Sequence, residues 1–394
     1  MRRTVAALLL VASACSSSST PNQLTVLSQN LYLGGDIFLV VQAPDAMGAA
    51  LATFEVWSSV QATDFPARAK VIAGSIASLN PDVIGLQVVA KWSVGLPAVC
   101  APDGSGLQYI NNPIASDVRY DFLASIQAEL VARGLHYDVA RETQSFDAEL
   151  CAVDALGGQA PFDVRYTDRD VILVRTGLPT QNAGGGLYAT MVEFPIPGTG
   201  SPGIIVPDRR AWNVVEVQKD GAWHRVFETH LEVQEIPTPP PIPGFIFQLG
   251  QAGELVKLHV LPRDAASPMP TILVGDMNTQ AEQPFGSPLR TTYAFLTGRN
   301  AFPDFGYPPF APLVGTLSPF QDLWTAVRPG QPGLTWGFDG DLKSGTPTQR
   351  IDFALIWGAR PAAMQTFGAS TFTSGVPPLH ASDHLGIMAT IEAP

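Results

Sequence analysis

The chain has 394 residues, of which 46% are hydrophobic and only 15% charged, so it carries the material for a large buried core. No apolar run of 18 residues occurs beyond the N-terminus, which excludes an internal helical membrane crossing. The formal net charge is −12, and Arg209-Arg210 is the only adjacent basic pair after the N-terminal one, which argues against tight non-specific binding to DNA. The 36 glycines and 35 prolines point to many turns and long irregular loops.

Arg2 and Arg3 precede an apolar run from Val5 to Val11 and the small residues Ala12-Ser13-Ala14, the pattern of a short secretory signal. Cys15 and the serine-rich tract from Ser16 to Pro21 are similar to the processing and lipidation site of a bacterial lipoprotein. Ala12 stands where such sites usually carry leucine, so cleavage after Ala14 without lipidation stays open. Residues 1–21 are expected to be signal and tether, and residues 22–394 one domain. That domain is expected to act as a monomer, secreted or anchored to the membrane through Cys15. Without Arg2 and Arg3, 21 basic residues face 35 acidic ones, a net charge of −14. Cys100 and Cys151 are then an even pair in an oxidising compartment, both in sequence that reads as loop. A bridge between them is expected, worth about 4 kcal/mol in the chain-entropy description.

In chain order, Leu24–Leu31 reads as a strand ending at Asn30, and Pro66–Leu79 as a helix opened by proline and stopped by Asn80-Pro81. Asp82–Val89 is a second strand, Tyr120–Ala132 an amphipathic helix stopped by Gly134, and Tyr137–Ala140 a short strand before the Cys151 loop. Asp170–Arg175, Trp212–Val217 and Trp223–Leu231 read as strands, and Phe247–Leu261 as a helix after a proline-rich loop. Thr271–Asp276 is an apolar, β-branched strand of the kind buried on both faces. Arg290–Leu296 and Gln321–Val327 are short helical candidates, and Arg350–Ile356 and Leu385–Ile391 the last strands. Many strands with interspersed helices suggest two packed sheets flanked by helices.

The residues that could carry chemistry stand at strand ends. Gly275 lets the backbone turn, and Asp276 and Asn278 follow two residues apart on one side, an acceptor and an amide suited to a phosphate and the water attacking it. Alone, Asp276-Met277-Asn278 is a turn closing a strand, His230 a satisfied core histidine, and Ser382-Asp383 a turn cap before His384. Together they occur in a fixed order: Asn30, the strand Pro81 to Gln87, Thr229-His230-Leu231, Gly275 to Asn278, Arg350-Ile351-Asp352 and Ser382-Asp383-His384. This order resembles the endonuclease/exonuclease/phosphatase superfamily, which includes DNase I, exonuclease III, neutral sphingomyelinases and inositol-polyphosphate 5-phosphatases. The resemblance covers about residues 24 to 394. It implies an α/β chain folded as a four-layer α/β/β/α sandwich, with the active site where the strand ends of both sheets converge.

The chemistry implied is phosphoester hydrolysis by an activated water, with a magnesium or manganese ion to meet the charge on the phosphate. By resemblance His384 is the base and Asp352 orients its ring. Asp276 positions the water or a metal, Asn278 donates to a phosphate oxygen, and His230 donates from the other side. Asn30 and Asp383 belong to the metal end. Asp170 touches substrate, holds a neighbour in place, or is a solvated strand end. His136, His224 and His259 have no such company and read as structural or surface groups, and His380 as a loop residue.

One position departs from the pattern. The superfamily's metal carboxylate follows the Gly-Leu-Gln strand end, and here Gly85-Leu86-Gln87 is followed by Val88, which offers no oxygen ligand. Asp82 lies about 20 Å away along the strand, and Asp36 is the nearest replacement. The readings left open are a phosphodiesterase with altered metal use, an inactive relative that binds a phosphorylated ligand, a nuclease, and a sequence variant at this codon. Acidity disfavours DNA, and the apolar loop from Pro241 to Phe247 suits either a phospholipid or the protein's own core.

Overall fold

A computed structural model describes residues 22–97, 114–195, 205–236, 243–373 and 377–394. Two sheets organise it. In the first, β1 (Gln23–Asn30) lies between the last strand of the chain, β18 (Gly386–Glu392), antiparallel to it, and β2 (Val83–Gln87), parallel to it. β17 (Arg360–Phe367) extends the sheet beyond β18. On the other side β6 (Phe162–Arg175) pairs with β2 and then with β3 (Lys91–Gly95), beyond which lies β4 (Asp117–Asp121). β5 (Tyr137–Ala152) also pairs with β6, from Tyr137 to Ala152. The second sheet has the order β13 (Gln321–Asp322), β16 (Asp352–Trp357), β12 (Thr271–Asp276), β11 (Ala222–His230), β10 (Ala211–Lys219) and β7 (Thr180–Leu187). Two hairpins stand apart: β8 (Val192–Pro195) with β9 (Ile205–Asp208), and β14 (Trp336–Phe338) with β15 (Gly345–Gln349).

Three cores separate four layers. On the outer face of the first sheet, after the single turn α1 (Phe38–Val41), α2 (Ala46–Ala62), α3 (Phe65–Leu79) and α4 (Phe122–Val131) pack Trp57, Ile72 and Ile126 against Leu27, Ile84 and Leu86. Outside the second sheet, α5 (Gly244–Glu254), continued by a π-helical turn Leu255–Val260 and α6 (Leu261–Ala266), joins α7 (Thr291–Leu296) over Phe227, Leu273 and Phe353. Between the sheets, Val26, Val83 and Ile172 meet Val226, Ile272 and Val274. Strands such as β12 are buried on both faces, which is why their sequence is continuously apolar rather than alternating. The four-layer α/β/β/α architecture expected from the sequence is the one observed.

Several elements differ from the expectation. α2 was not expected, because its apolar residues run nearly all round the helix and give little periodicity. Its signal is Asp45, whose side chain caps the Gly48 N–H. The Cys151 segment is no loop but the far half of β5, and Cys151 is buried there. Cys100 lies outside the described residues, as do Cys15 and residues 1–21.

The seam between the sheets carries one polar chain. Ser28 donates to Gln87, whose amide donates to Glu228 at 2.8 Å, and Asn213 donates to the other Glu228 oxygen at 2.8 Å while accepting from Thr143. All five side chains are buried. Burial pushes the Glu228 carboxyl up to about 8, outweighing the two amide donors. A carboxyl raised in the folded state contributes stability that is complete below its unfolded pKa and is lost as pH rises through the folded value. Glu228→Gln is therefore expected to melt several degrees higher than the parent near about pH 8.5 and at the same temperature near about pH 4. Thermal unfolding followed by circular dichroism across that range checks this, and parallel profiles would refute it.

Candidate active site

The ends of β1, β11, β12 and β16 and the segment before β18 converge on one pocket of about 380 Å3. Gly275 makes this possible, because its φ of +143° and the neighbouring Thr229 carbonyl leave no room for a Cβ where β12 lies against β11. Asp276 pairs in register with both His230 and Asp352, so three candidate residues sit side by side across three strands.

His384 Nδ1 lies 2.9 Å from Asp352 Oδ2, and its Nε2 faces Asp276 Oδ2 at 3.6 Å and Asp383 Oδ1 at 3.9 Å. Burial alone would depress the imidazole, but Asp352, Asp383 and Asp276 outweigh it and raise its pKa to about 10. Ser382 fixes the approach of this segment, donating its hydroxyl to the Asn30 carbonyl at 2.7 Å and accepting the His384 N–H at 3.2 Å. Asp276 is the centre of the site. Its Oδ1 accepts the Asn278 N–H at 2.9 Å and its Oδ2 accepts the Asn30 side-chain amide at 3.0 Å, a bond that spans the two sheets. Burial pushes Asp276 up to about 7.

Asn278 adopts a left-handed φ of +50°, a region asparagine tolerates, so a turn rather than strand alternation aims it at the pocket. Its amide donates to the Leu231 carbonyl at 2.9 Å and lies 3.1 Å from His230 Nε2. His230 is held neutral: burial, then Arg210 and His384, lower its pKa well below the usual imidazole range.

All the candidate residues except two line this pocket. Asp352 stands behind His384, with its Oδ2 against the ring Nδ1. Asp170 is buried between the sheets with one carboxylate oxygen free of hydrogen bonds, and burial together with Glu228 keeps its carboxyl well above the usual range. The wall residues of that strand are Tyr166 and Asp168, the latter two positions before Asp170 on the same face. Asp170 is thus placed behind the wall and not on it.

Arg210 is the main residue the sequence reading missed. Its Nη2 donates to Glu232 at 2.7 Å and its Nη1 stands 3.3 Å from both ring nitrogens of His230, so a fixed cation reaches the pocket wall. The signal available was the Arg209-Arg210 pair at the mouth of an apolar strand, where an arginine must be buried with a carboxylate partner. Tyr166, Trp336 and Phe338 complete the wall, and His380 backs it by stacking on Phe338 at 3.8 Å. His259 stacks on Trp212 at 3.9 Å, and His136 is exposed. Within the apolar loop from Pro241 to Phe247, residues 241 and 242 lie outside the described residues, while Ile246 and Phe247 pack into the protein's own clusters.

Val88 lines the pocket at the expected metal position, and it does so on a left-handed turn with a φ of +54°. Asp82 is far from it, bound to Lys219 at 2.6 Å, and Asp36 lines the pocket while capping the Phe38 N–H. The donor set fits a divalent cation at one end only. Asp276, Asp352 and His384 bring a ligand atom each within 4.8 Å of one another, beside Asp383 and Asn30, whereas the Val88 side presents no oxygen from its own side chain.

A histidine–aspartate pair, an Asp-x-Asn turn and a second histidine gathered at the strand ends of two stacked sheets define the endonuclease/exonuclease/phosphatase class of fold. No family model and no curated protein matches the sequence. Among solved structures, an endonuclease/exonuclease/phosphatase family protein from Bacteroides thetaiotaomicron superposes with a TM-score of 0.51 at 15% identity, over 96% of this chain and 97% of that one. A mannosyl-6-phosphatase from the same organism gives 0.49 at 15% identity over 94% and 98%, and TDP2 from Caenorhabditis elegans 0.47 at 16% identity over 96% and 78%. The chain has the endonuclease/exonuclease/phosphatase fold.

Proposed function

We propose that the chain is an exported, divalent-metal-assisted phosphoesterase that cleaves a phosphate ester with water. The observation that carries this reading is the convergence of the His384–Asp352 pair, Asp276, Asn278, His230 and Arg210 on one pocket. Asn278 and Arg210 supply donors for phosphate oxygens, and neutral His230 stands between them. Asp36, Asp168, Asp208, Asp276 and Asp383 line the same pocket, so an anionic phosphate needs a cation there. Asp276 and Asp383, with Asn30, would hold it. Such an ion supplies positive charge at the phosphate oxygens and favours loss of the His384 proton. Asp352 keeps the ring oriented through Nδ1, which leaves Nε2 facing the pocket as the acceptor for the proton of the attacking water.

The Val88 side chain favours a second reading, an inactive relative that binds a phosphorylated ligand. A nuclease is disfavoured by a net charge of −12 and an acid-lined pocket. Export rests on Arg2, Arg3, the apolar run and Cys15, and the Cys100–Cys151 bridge on that export. The purified protein should hydrolyse a small phosphodiester and phospholipid vesicles with magnesium or manganese, with plasmid DNA the poorest substrate and chelation abolishing turnover. Absence of turnover on all three, with inorganic phosphate still bound in calorimetry, would establish the binding-protein reading instead. An unprocessed Met1 by mass spectrometry would refute export.

A further inference from the structure

Beside the catalytic pocket lies a second cavity of about 70 Å3. Ile37, Phe38, Phe146, Tyr166 and Asp208 belong to both, so the two share a wall. Beyond that wall the cavity is lined by Val56, Trp92, Ala148, Val164, Phe194 and Val206 among others. Its lining is almost wholly apolar. Thr53 donates its hydroxyl to the Ala49 carbonyl within α2, and Asp208 is turned to Arg210 at 3.7 Å. The space therefore lacks the two to four polar partners a bound water needs, and apolar cavities of this kind take apolar ligands.

The walls are built of rings in contact with one another. Trp92 stacks on Tyr166 at 4.6 Å, Phe146 lies 5.7 Å from Tyr166, and Phe38 meets Phe194 edge to face at 6.2 Å. Protein interiors are packed to crystal density, so a void held open by ring-to-ring contacts, next to a pocket lined by acids and an arginine, is an exception. We propose that this cavity is the subsite for the apolar alcohol esterified to the phosphate, with the phosphate itself at Asn278 and Arg210. The proposal rests on the phosphoesterase reading and adds its substrate class, an ester with a small alkyl group or the end of a longer chain. About half the volume of a cavity that holds benzene, it takes about three or four carbons.

The test is a chain-length series of alkyl 4-nitrophenyl phosphates, methyl to octyl, assayed on the full chain with magnesium. KM is expected to fall about fourfold for each methylene up to about butyl and then to level off. Ala148→Phe, which fills the cavity away from the reacting groups, should leave methyl-ester turnover unchanged and abolish the dependence on chain length. Val164→Ala should move the plateau about one carbon further. Methyl- to butylphosphonate binding, followed by the fluorescence of Trp92 and its neighbours, gives the same ranking without turnover. That arm holds whether or not Ala148→Phe folds. Phosphatidylcholine vesicles separate the sources: cleavage there that Ala148→Phe removes identifies a lipid, and cleavage of soluble esters alone identifies a small alkyl ester. A flat series in both KM and phosphonate affinity overturns the subsite while a hydrolysed methyl ester leaves the phosphoesterase reading standing. No turnover with chain-length-dependent phosphonate binding does the reverse.

Discussion

Replacing His384 by alanine is expected to lower turnover of a phosphodiester about a thousandfold, the range measured when a general base is removed. His230 is the other imidazole among the residues that line the pocket. It is neutral and hemmed in by Arg210 and Asn278, and Asp276 already accepts two hydrogen bonds. The change also leaves Asp352, Asp276 and Asp383 without the imidazole that faces all three, so some loss of stability will accompany it. His384→Gln keeps a polar side chain there and separates the two effects. Added imidazole should restore part of the rate to the alanine variant. Asp352→Asn should cost less, since it disturbs the orientation and charge of the ring and leaves the ring in place. Full activity in the alanine variant would remove His384 from the mechanism.

The second large effect is expected at Val88. A β-branched residue in the left-handed region is a genuine outlier, and such a conformation costs about 1–2 kcal/mol. Val88→Glu removes the branch and adds a carboxylate to a pocket wall that lacks one at this point. Magnesium affinity by calorimetry should rise at least about tenfold, and turnover with it. Without the ion the variant should melt lower than the parent, because a further carboxylate is buried 6% exposed among others; with saturating magnesium it should melt higher. A variant that is less stable under both conditions, with unchanged metal affinity, would mean that the wall has repacked around valine. The binding-protein reading would then replace the hydrolytic one.

The parts of the site that were legible in the sequence are those fixed by strand ends. Asn30, His230 and Asp276 each close an apolar run and Asp352 opens one, and the run itself predicts where the backbone delivers them. What sequence could not place was set by contacts across the two sheets. Asp168 and Asp170 share a face of β6, and only the depth of the seam decides that the first meets the pocket and the second does not. Arg210 is legible as a cation at a strand start, but its partners come from the end of β11 and the residues just after it, which bring His230 and Glu232 to it. The fold was legible in its strands of continuous apolar sequence and much less so in α2. A helix wedged among other elements needs no amphipathic face, and so leaves no periodic trace.

The position of β18 has a consequence for how the molecule is made. The first strand of the domain waits for the last: β1 keeps one edge unpaired until residues 386–392 exist. At ordinary synthesis rates that is an interval of roughly 20 to 80 s, during which an apolar strand edge stands open to other chains. Completion of the first sheet is therefore late, since β1 and β18 are joined by contacts such as Gln23 to Glu392, 369 residues apart. The strand that completes the sheet follows directly on Ser382 and His384, so one short segment both closes the sheet and carries the proposed base. A chain cut short by a dozen residues forfeits both together.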